Sequence, residues 1–163
     1  LIISGSVIKY GDNIDTDVII PGKYLGITDY GELGRHALEG IDPEFPNKIK
    51  QTGILVVGEN FGCGSSREEA PVALKYAGVK CIIAKSFARI FYRNAINVGL
   101  PIVVCPEASE KLNNGDMVTV NLAEGTIINV SKNEVYRTKA LPEFILEILR
   151  DGGLVAHLRR RLT

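Results

Sequence analysis

Long apolar runs, an excess of either charge and paired cysteines are all missing from this sequence, and each absence closes off a class of function. No apolar stretch approaches the ~20 residues that cross a bilayer, and the first residues lack the basic start and long apolar stretch of a secretory signal. The expectation is a cytoplasmic protein, although the chain opens on Leu1 rather than Met and its extreme N-terminus carries no argument. Nineteen Lys and Arg offset nineteen Asp and Glu, so no net field draws the chain to nucleic acid or to a membrane surface. Small-molecule chemistry or a protein partner remains. The cysteines Cys63, Cys81 and Cys105 are odd in number, widely spaced and without a CxxC pair, which fits free thiols in a reducing compartment and makes this chain a poor holder of zinc or an iron–sulfur cluster. With 45% hydrophobic residues and no repeat, low-complexity tract or long linker, residues 1–163 read as one domain with a sizeable core.

What is present alternates. A short strand near Ile2 to Tyr10 leads into the acidic loop "GDNIDTD", and Ile19 and Ile20 are stopped by Pro21. "ELGRHALEG" has a weak helical period ending at Gly40, and "IDPEFPNKIKQTG" reads as a proline-rich surface connection. "GILVVGENF", "CIIAKS" and "LPIVVC" are continuous apolar runs suited to strands buried on both faces. Between the first two, Ala70, Ala73, Leu74 and Ala77 fall at helical spacing up to Gly78; "FARIFYRNAINVG" is a second helical stretch between the next two. Strand and helix in alternation predict parallel strands with crossover helices, whose ligands favour the carboxyl ends of the strands. Beyond Pro106 the pattern alternates with period two around "AEGT", as in an antiparallel hairpin or meander, and the chain closes with two helices broken at Gly152-Gly153. The fold class is α/β, with mixed parallel and antiparallel strands and flanking helices.

The stretch "NFGCGSSREEAPVAL" lies after the first buried strand. Ser65 with Glu68, and Ser66 with Glu69, are spaced as capping boxes, so a self-satisfied helix start is one reading. Pro71 argues for another, because proline is accommodated only in the first helical turn. A helix starting nearer Glu68 to Ala70 leaves "GCGSSR" as a tight turn with at least one serine free. Gly62 and Gly64 permit positive φ and close approach of a ligand, the helix start directs N–H groups at an anion, and Arg67 offers a fork for a carboxylate or phosphate. The turn completes neither a P-loop nor G-x-G-x-x-G. A Cys63 nucleophile is the competing enzymatic reading, but His36 and His157 are both far along the chain. Cys81 and Cys105 read as small core residues. Asp12, Asp15 and Asp17 do not make a calcium loop, since counting from Asp12 or Asp15 supplies neither the glycine nor the glutamate it needs; one of them is suited to orienting an arginine or a hydroxyl. In "KSFARIFYRN", Phe87, Ile90 and Phe91 read as core, with Lys85, Arg89 and Arg93 a solvated or interface face rather than a nucleic-acid patch.

"DNIDTDVIIPGKYL", "NFGCGSSREEAPVALKYAGV", "IIAKSFARIFYRNAINVGLPI" and the ending "DGGLVAHL" together resemble the swivelling domain of the aconitase family, along nearly the whole chain. T-D-x-I, G-S-S-R-E and K-S-F-A-R-I are the specific elements, and the likeness is greatest to the branch that isomerises isopropylmalate and carries this domain as a separate small subunit. The resemblance implies a β/β/α swivelling domain that closes over a large subunit, as a heterodimer or heterotetramer. That large subunit holds a 4Fe-4S cluster, and this chain holds no cofactor. It implies a hydro-lyase reaction of leucine biosynthesis, in which a small dicarboxylate or tricarboxylate loses water and regains it: 2-isopropylmalate, through 2-isopropylmaleate, becomes 3-isopropylmalate. Carried over, Ser65 matches an alkoxide base, Ser66 and Arg67 match residues that bind a substrate carboxylate, and Asp15 and Asp17 support the site with Gly62 and Gly64. After "PGKYL", citrate-handling relatives place an arginine, whereas this chain has Gly26, Ile27 and Thr28. An apolar substituent suits Ile27, which favours isopropylmalate. The methyl of citramalate also fits, and Lys23 and Arg35 keep homoaconitate open. A non-catalytic anion-binding module is the alternative from another class.

Overall fold

The computed structural model describes residues 1–163. In chain order the elements are β1 (Ile2–Lys9), α1 (Thr16–Ile19), a 3-10 turn (Gly22–Tyr24), α2 (Tyr30–Gly34), α3 (Phe45–Thr52), β2 (Gly53–Val56), α4 (Glu69–Ala77), β3 (Cys81–Ala84), α5 (Arg89–Asn97) and β4 (Ile102–Val104). They continue with α6 (Pro106–Lys111), β5 (Met117–Asn121), β6 (Thr126–Asn129), β7 (Glu134–Arg137), α7 (Glu143–Arg150) and α8 (Leu154–Leu162). All seven strands form one sheet in the order β4-β3-β2-β1-β5-β6-β7. β1 is its hinge line: it pairs parallel with β2 and antiparallel with β5. To one side β2, β3 and β4 are parallel, with every residue of β2 and β3 buried as their unbroken apolar runs predict. To the other side β5, β6 and β7 form the antiparallel meander. The sheet curls until its edges approach, where the Thr138 hydroxyl donates to Val104 O at 2.5 Å and the Cys105 thiol lies 3.7 Å from Arg137 O.

Helices pack on the parallel half. Ala70, Ala73, Leu74 and Ala77 bury the inner face of α4, and Lys75 ties that helix to its neighbours by donating to Val98 O (2.7 Å) and Gly152 O (3.2 Å). Burial lowers the pKa of that ammonium. Four departures from the sequence reading have local causes. "IDPEFPNKIKQTG" contains helix α3, because Pro46 sits in its first turn, where no N–H is needed, and Phe45 and Ile49 bury one face. Pro106 likewise opens α6. The acidic loop holds the single turn α1, capped by the Asp15 carboxylate accepting from Val18 N–H at 2.9 Å. The helical period of "ELGRHALEG" is realised only within Tyr30–Gly34.

Asp116, 8% exposed, braces the start of β5. Burial opposes its charge, but the Asn113 N–H (2.9 Å), Asn129 Nδ2 (3.1 Å) and Lys132 Nζ (3.4 Å) outweigh that and hold its pKa below the ordinary value. A depressed folded pKa contributes stability that is complete above about pH 4, the unfolded value, and lost as pH falls through the folded one. Asp116→Asn is expected to cost about 1–3 kcal/mol at neutral pH and to flatten the acid limb of thermal stability against pH. An acid limb as steep as wild type's would refute the assignment.

Candidate active site

Because β1, β2 and β3 are parallel, the loops that follow them leave the same edge of the sheet, and backbone hydrogen bonds stitch those loops together. The loop after β2 donates Gly58 N–H to Gly11 O (3.0 Å) and Gly62 N–H to Ile14 O (2.8 Å), and accepts Asn13 N–H at Glu59 O (2.8 Å) and Thr16 N–H at Cys63 O (2.9 Å). Its other flank is tied to the loop after β3, with Phe61 N–H on Ser86 O (3.1 Å) and Ala88 N–H on Phe61 O (2.9 Å). Asp12 adds a carboxylate acceptor for Glu59 N–H at 2.7 Å. Beneath this seam the buried Phe61 ring meets Phe87 and Phe91 edge-on, with centroids 6.1 and 5.2 Å away. Gly62, at φ +82°, lies so close to the Phe91 ring that a Cβ would stand 2.3 Å from it. Gly64 turns the chain again at φ +91°.

These two turns present Ser65 and Ser66 to solvent. Regular helix begins only at Glu69, and Pro71 is the third residue of α4, inside its first turn. Neither capping box forms: the N-cap is Glu68, and no side chain accepts from the helix start. No acceptor of the chain meets the backbone N–H groups of Gly64, Ser65, Ser66, Arg67 or Glu68. The turn therefore combines unclaimed hydroxyls with a run of free N–H donors at the positive end of a helix, an arrangement that receives an anion.

Arg67 points back across the site. Its Nη1 donates to Ile20 O at 2.9 Å and its Nη2 pairs with the Asp17 carboxylate. The Arg67 side chain is mostly buried, at 18% exposed, while that of Asp17 is 66% exposed. Asp15 faces the turn as a one-residue parallel bridge to Cys63. Between the two aspartates, Thr16 is 3% exposed and its hydroxyl donates to Ser65 O at 2.6 Å. The structure thus brings Asp15, Asp17, Gly62, Gly64, Ser65, Ser66 and Arg67 together. Thr16 is the addition: T-D-x-I marked it as part of a motif, but its reach to a carbonyl 49 residues away has no local signature.

Gly26, Ile27 and Thr28 lie to one side and make no hydrogen bond to the serine turn. Ile27 and Thr28 line an open groove of about 640 Å³ with Leu25, Glu68, Val72 and Val98, so they reach the first turn of α4 rather than Ser65 itself. Their segment is anchored by Tyr24, whose ring stacks on His36 with centroids 3.9 Å apart and whose hydroxyl donates to Glu39. That hydrogen bond raises the Tyr24 pKa.

The thiols do not converge. Burial pushes Cys81 up to about 12 and raises Cys105, so neither supplies a thiolate at neutral pH. No group of three His, Cys, Asp or Glu side chains is arranged to hold a metal ion, and the donor set does not fit an iron–sulfur cluster. Ile90, expected in the core, is 53% exposed; α5 begins at Arg89 and buries Phe91, Ala95 and Ile96 instead. No helix is long and apolar enough to cross a membrane.

Comparison with known proteins agrees with this layout. The Aconitase C-terminal domain family model matches residues 23–107. The 3-isopropylmalate dehydratase small subunit of Caldanaerobacter subterraneus subsp. tengcongensis is 56% identical over 158 residues, which is 97% of this chain and 98% of that protein. The isopropylmalate/citramalate isomerase small subunit of Methanocaldococcus jannaschii is 54% identical over 99% of this chain and 96% of its own length. The crystal structure of 3-isopropylmalate dehydratase (leuD) from Methanocaldococcus jannaschii superposes with a TM-score of 0.91 at 49% identity, covering 99% of this chain and 95% of that one. Sequence likeness along nearly the full length and the same curled mixed sheet lead to one assignment: the chain belongs to the 3-isopropylmalate dehydratase small-subunit family, within the aconitase family.

Proposed function

We propose that residues 1–163 act as one swivelling unit, the cytoplasmic small subunit of a hydro-lyase that converts 2-isopropylmalate to 3-isopropylmalate by dehydration and rehydration. The observation that carries this reading is the serine turn: exposed hydroxyls and free N–H groups at the carboxyl edge of parallel strands, with an arginine behind them. Elimination of water needs a base for the proton on the carbon beside a carboxylate. Ser65 takes that role as an alkoxide, which the helix start, the turn N–H groups and the Arg67 charge all favour over the neutral hydroxyl. After the double bond forms, the same hydroxyl returns its proton as water adds with the opposite regiochemistry. Ser66 and Arg67 hold a substrate carboxylate, with Asp17 aligning the guanidinium. The 4Fe-4S cluster, held by the partner large subunit in this reading, supplies the Lewis acid for the departing hydroxyl.

Reconstitution tests this. The isolated chain should be colourless and without turnover, and activity should arise only on anaerobic mixing with a cluster-loaded large subunit. Turnover by the chain alone would sink the two-chain reading, and binding of anions without turnover in the complex would favour a non-catalytic module. In the same assay isopropylmalate should exceed homoaconitate, because the Gly26–Thr28 segment offers no cation at the position where an arginine would meet a further carboxylate. Citramalate is a reasonable second substrate, supported by the isomerase named for both compounds at 54% identity.

A further inference from the structure

We infer that Thr16 is a positioning residue for Ser65, acting through the backbone of the turn; this rests on the reading of Ser65 as the base. Thr16 touches both ends of the Cys63-Gly64-Ser65 segment. Its N–H donates to Cys63 O at 2.9 Å and its hydroxyl to Ser65 O at 2.6 Å. The segment between those carbonyls is centred on Gly64 at φ +91°, and the hydroxyls and N–H groups that follow it have no partner in the chain. Apart from the Thr16 hydroxyl, no group of the chain bonds to the backbone of Ser65 or Ser66. Thr16 itself is well placed to hold them. It is 3% exposed, lies in the first position of α1 behind the Asp15 cap, and has a β-branched side chain with few rotamers.

The chemical consequence is orientation. Pinning the Ser65 carbonyl fixes the peptide plane that follows Cα, and with the Cys63 carbonyl held on the other side this restricts the backbone torsions that aim the Cα–Cβ bond, leaving only the χ1 rotamer to place Oγ. Small errors in the placement of a reacting group cost rate without costing binding; a displacement of about 1 Å is enough for roughly 10²-fold. Neighbouring residues have other tasks, since Asp15 caps α1 and Asp17 pairs with Arg67.

The test uses the complete two-chain enzyme. Thr16→Val keeps the shape and the N–H but removes the hydroxyl that Ser65 O accepts from. The expected result is a fall in kcat of about 10²-fold, with KM, thermal midpoint and affinity for the large subunit near wild type, and with most of the rate restored in Thr16→Ser. Wild-type kcat in Thr16→Val alongside an inactive Ser65→Ala would overturn this inference while leaving the base assignment standing. Equal loss of rate and of thermal stability in Thr16→Val and Thr16→Ser alike would also overturn it, reducing Thr16 to a packing role. Full turnover in Ser65→Ala would remove both.

Discussion

Ser65→Ala is expected to lower kcat of the reconstituted enzyme by about 10²–10⁴-fold, with folding and large-subunit affinity at wild-type levels. The size follows from the proposed role: a positioned base acts on the step that breaks the C–H bond, and alanine offers nothing in its place. The selectivity follows from the structure. The Ser65 hydroxyl is bonded to nothing in the chain, the residue is exposed, and the helix it precedes is not capped by it. Its removal therefore leaves no buried donor or acceptor unpaired, and the usual destabilising mechanisms are absent. Turnover measured with a saturating large subunit, beside a thermal melt and a binding titration, checks all three statements. An unchanged kcat would refute the base assignment; a lowered melt would show that the hydroxyl has a structural partner.

Arg67→Lys is expected to lower kcat/KM by about 10–10²-fold, the equivalent of the roughly 1.5–3 kcal/mol carried by hydrogen bonds to charged groups, chiefly through a higher KM. Charge is preserved, so a loss would report on the fork and not on the sign. The guanidinium uses one nitrogen on Ile20 O at 2.9 Å and another on Asp17, and it passes over Gly22, where a Cβ would stand 3.6 Å from both terminal nitrogens. An ammonium cannot serve a backbone carbonyl, a carboxylate and a substrate from that direction at once. Steady-state kinetics on isopropylmalate gives the split. A lower kcat at wild-type KM would move Arg67 from substrate binding to the chemical step.

What was legible in the sequence was local. The strands β2 and β3 stood out because burial on both faces writes an unbroken apolar run; β4 carries such a run too, but it is the sheet edge and its Val104 is exposed; and Pro71 located the true start of α4. From that start the freedom of the serine turn followed. A proline also misled, since Pro46 opens a helix that a breaker reading turns into a connection. The remainder is written in contacts between distant residues. That β1 lies between β2 and β5, that Arg67 reaches Asp17, and that Thr16 reaches Ser65 all depend on strand order, which no periodicity encodes. Ile27 shows the same limit: its apolar character was readable, but not the groove it lines beside α4.

The pairing of β1 with β2 acts as a ruler for the chemistry. Val7 stands opposite Ile54 and Lys9 opposite Val56, and the two strands lead directly into the aspartate loop and the serine turn. A slip of two residues would keep every apolar side chain on its proper face, yet it would carry Thr16 and Asp17 about 7 Å past Ser65 and Arg67. Hydrophobic burial alone does not forbid that slip. Tight contact does: Gly5 passes so near Thr52 that a Cβ would lie 2.3 Å from its carbonyl oxygen, and the next residues along β1 all carry a Cβ. A glycine in the middle of β1, one residue before its ladder with β2 begins, thus sets the alignment on which the serine turn at the far edge depends.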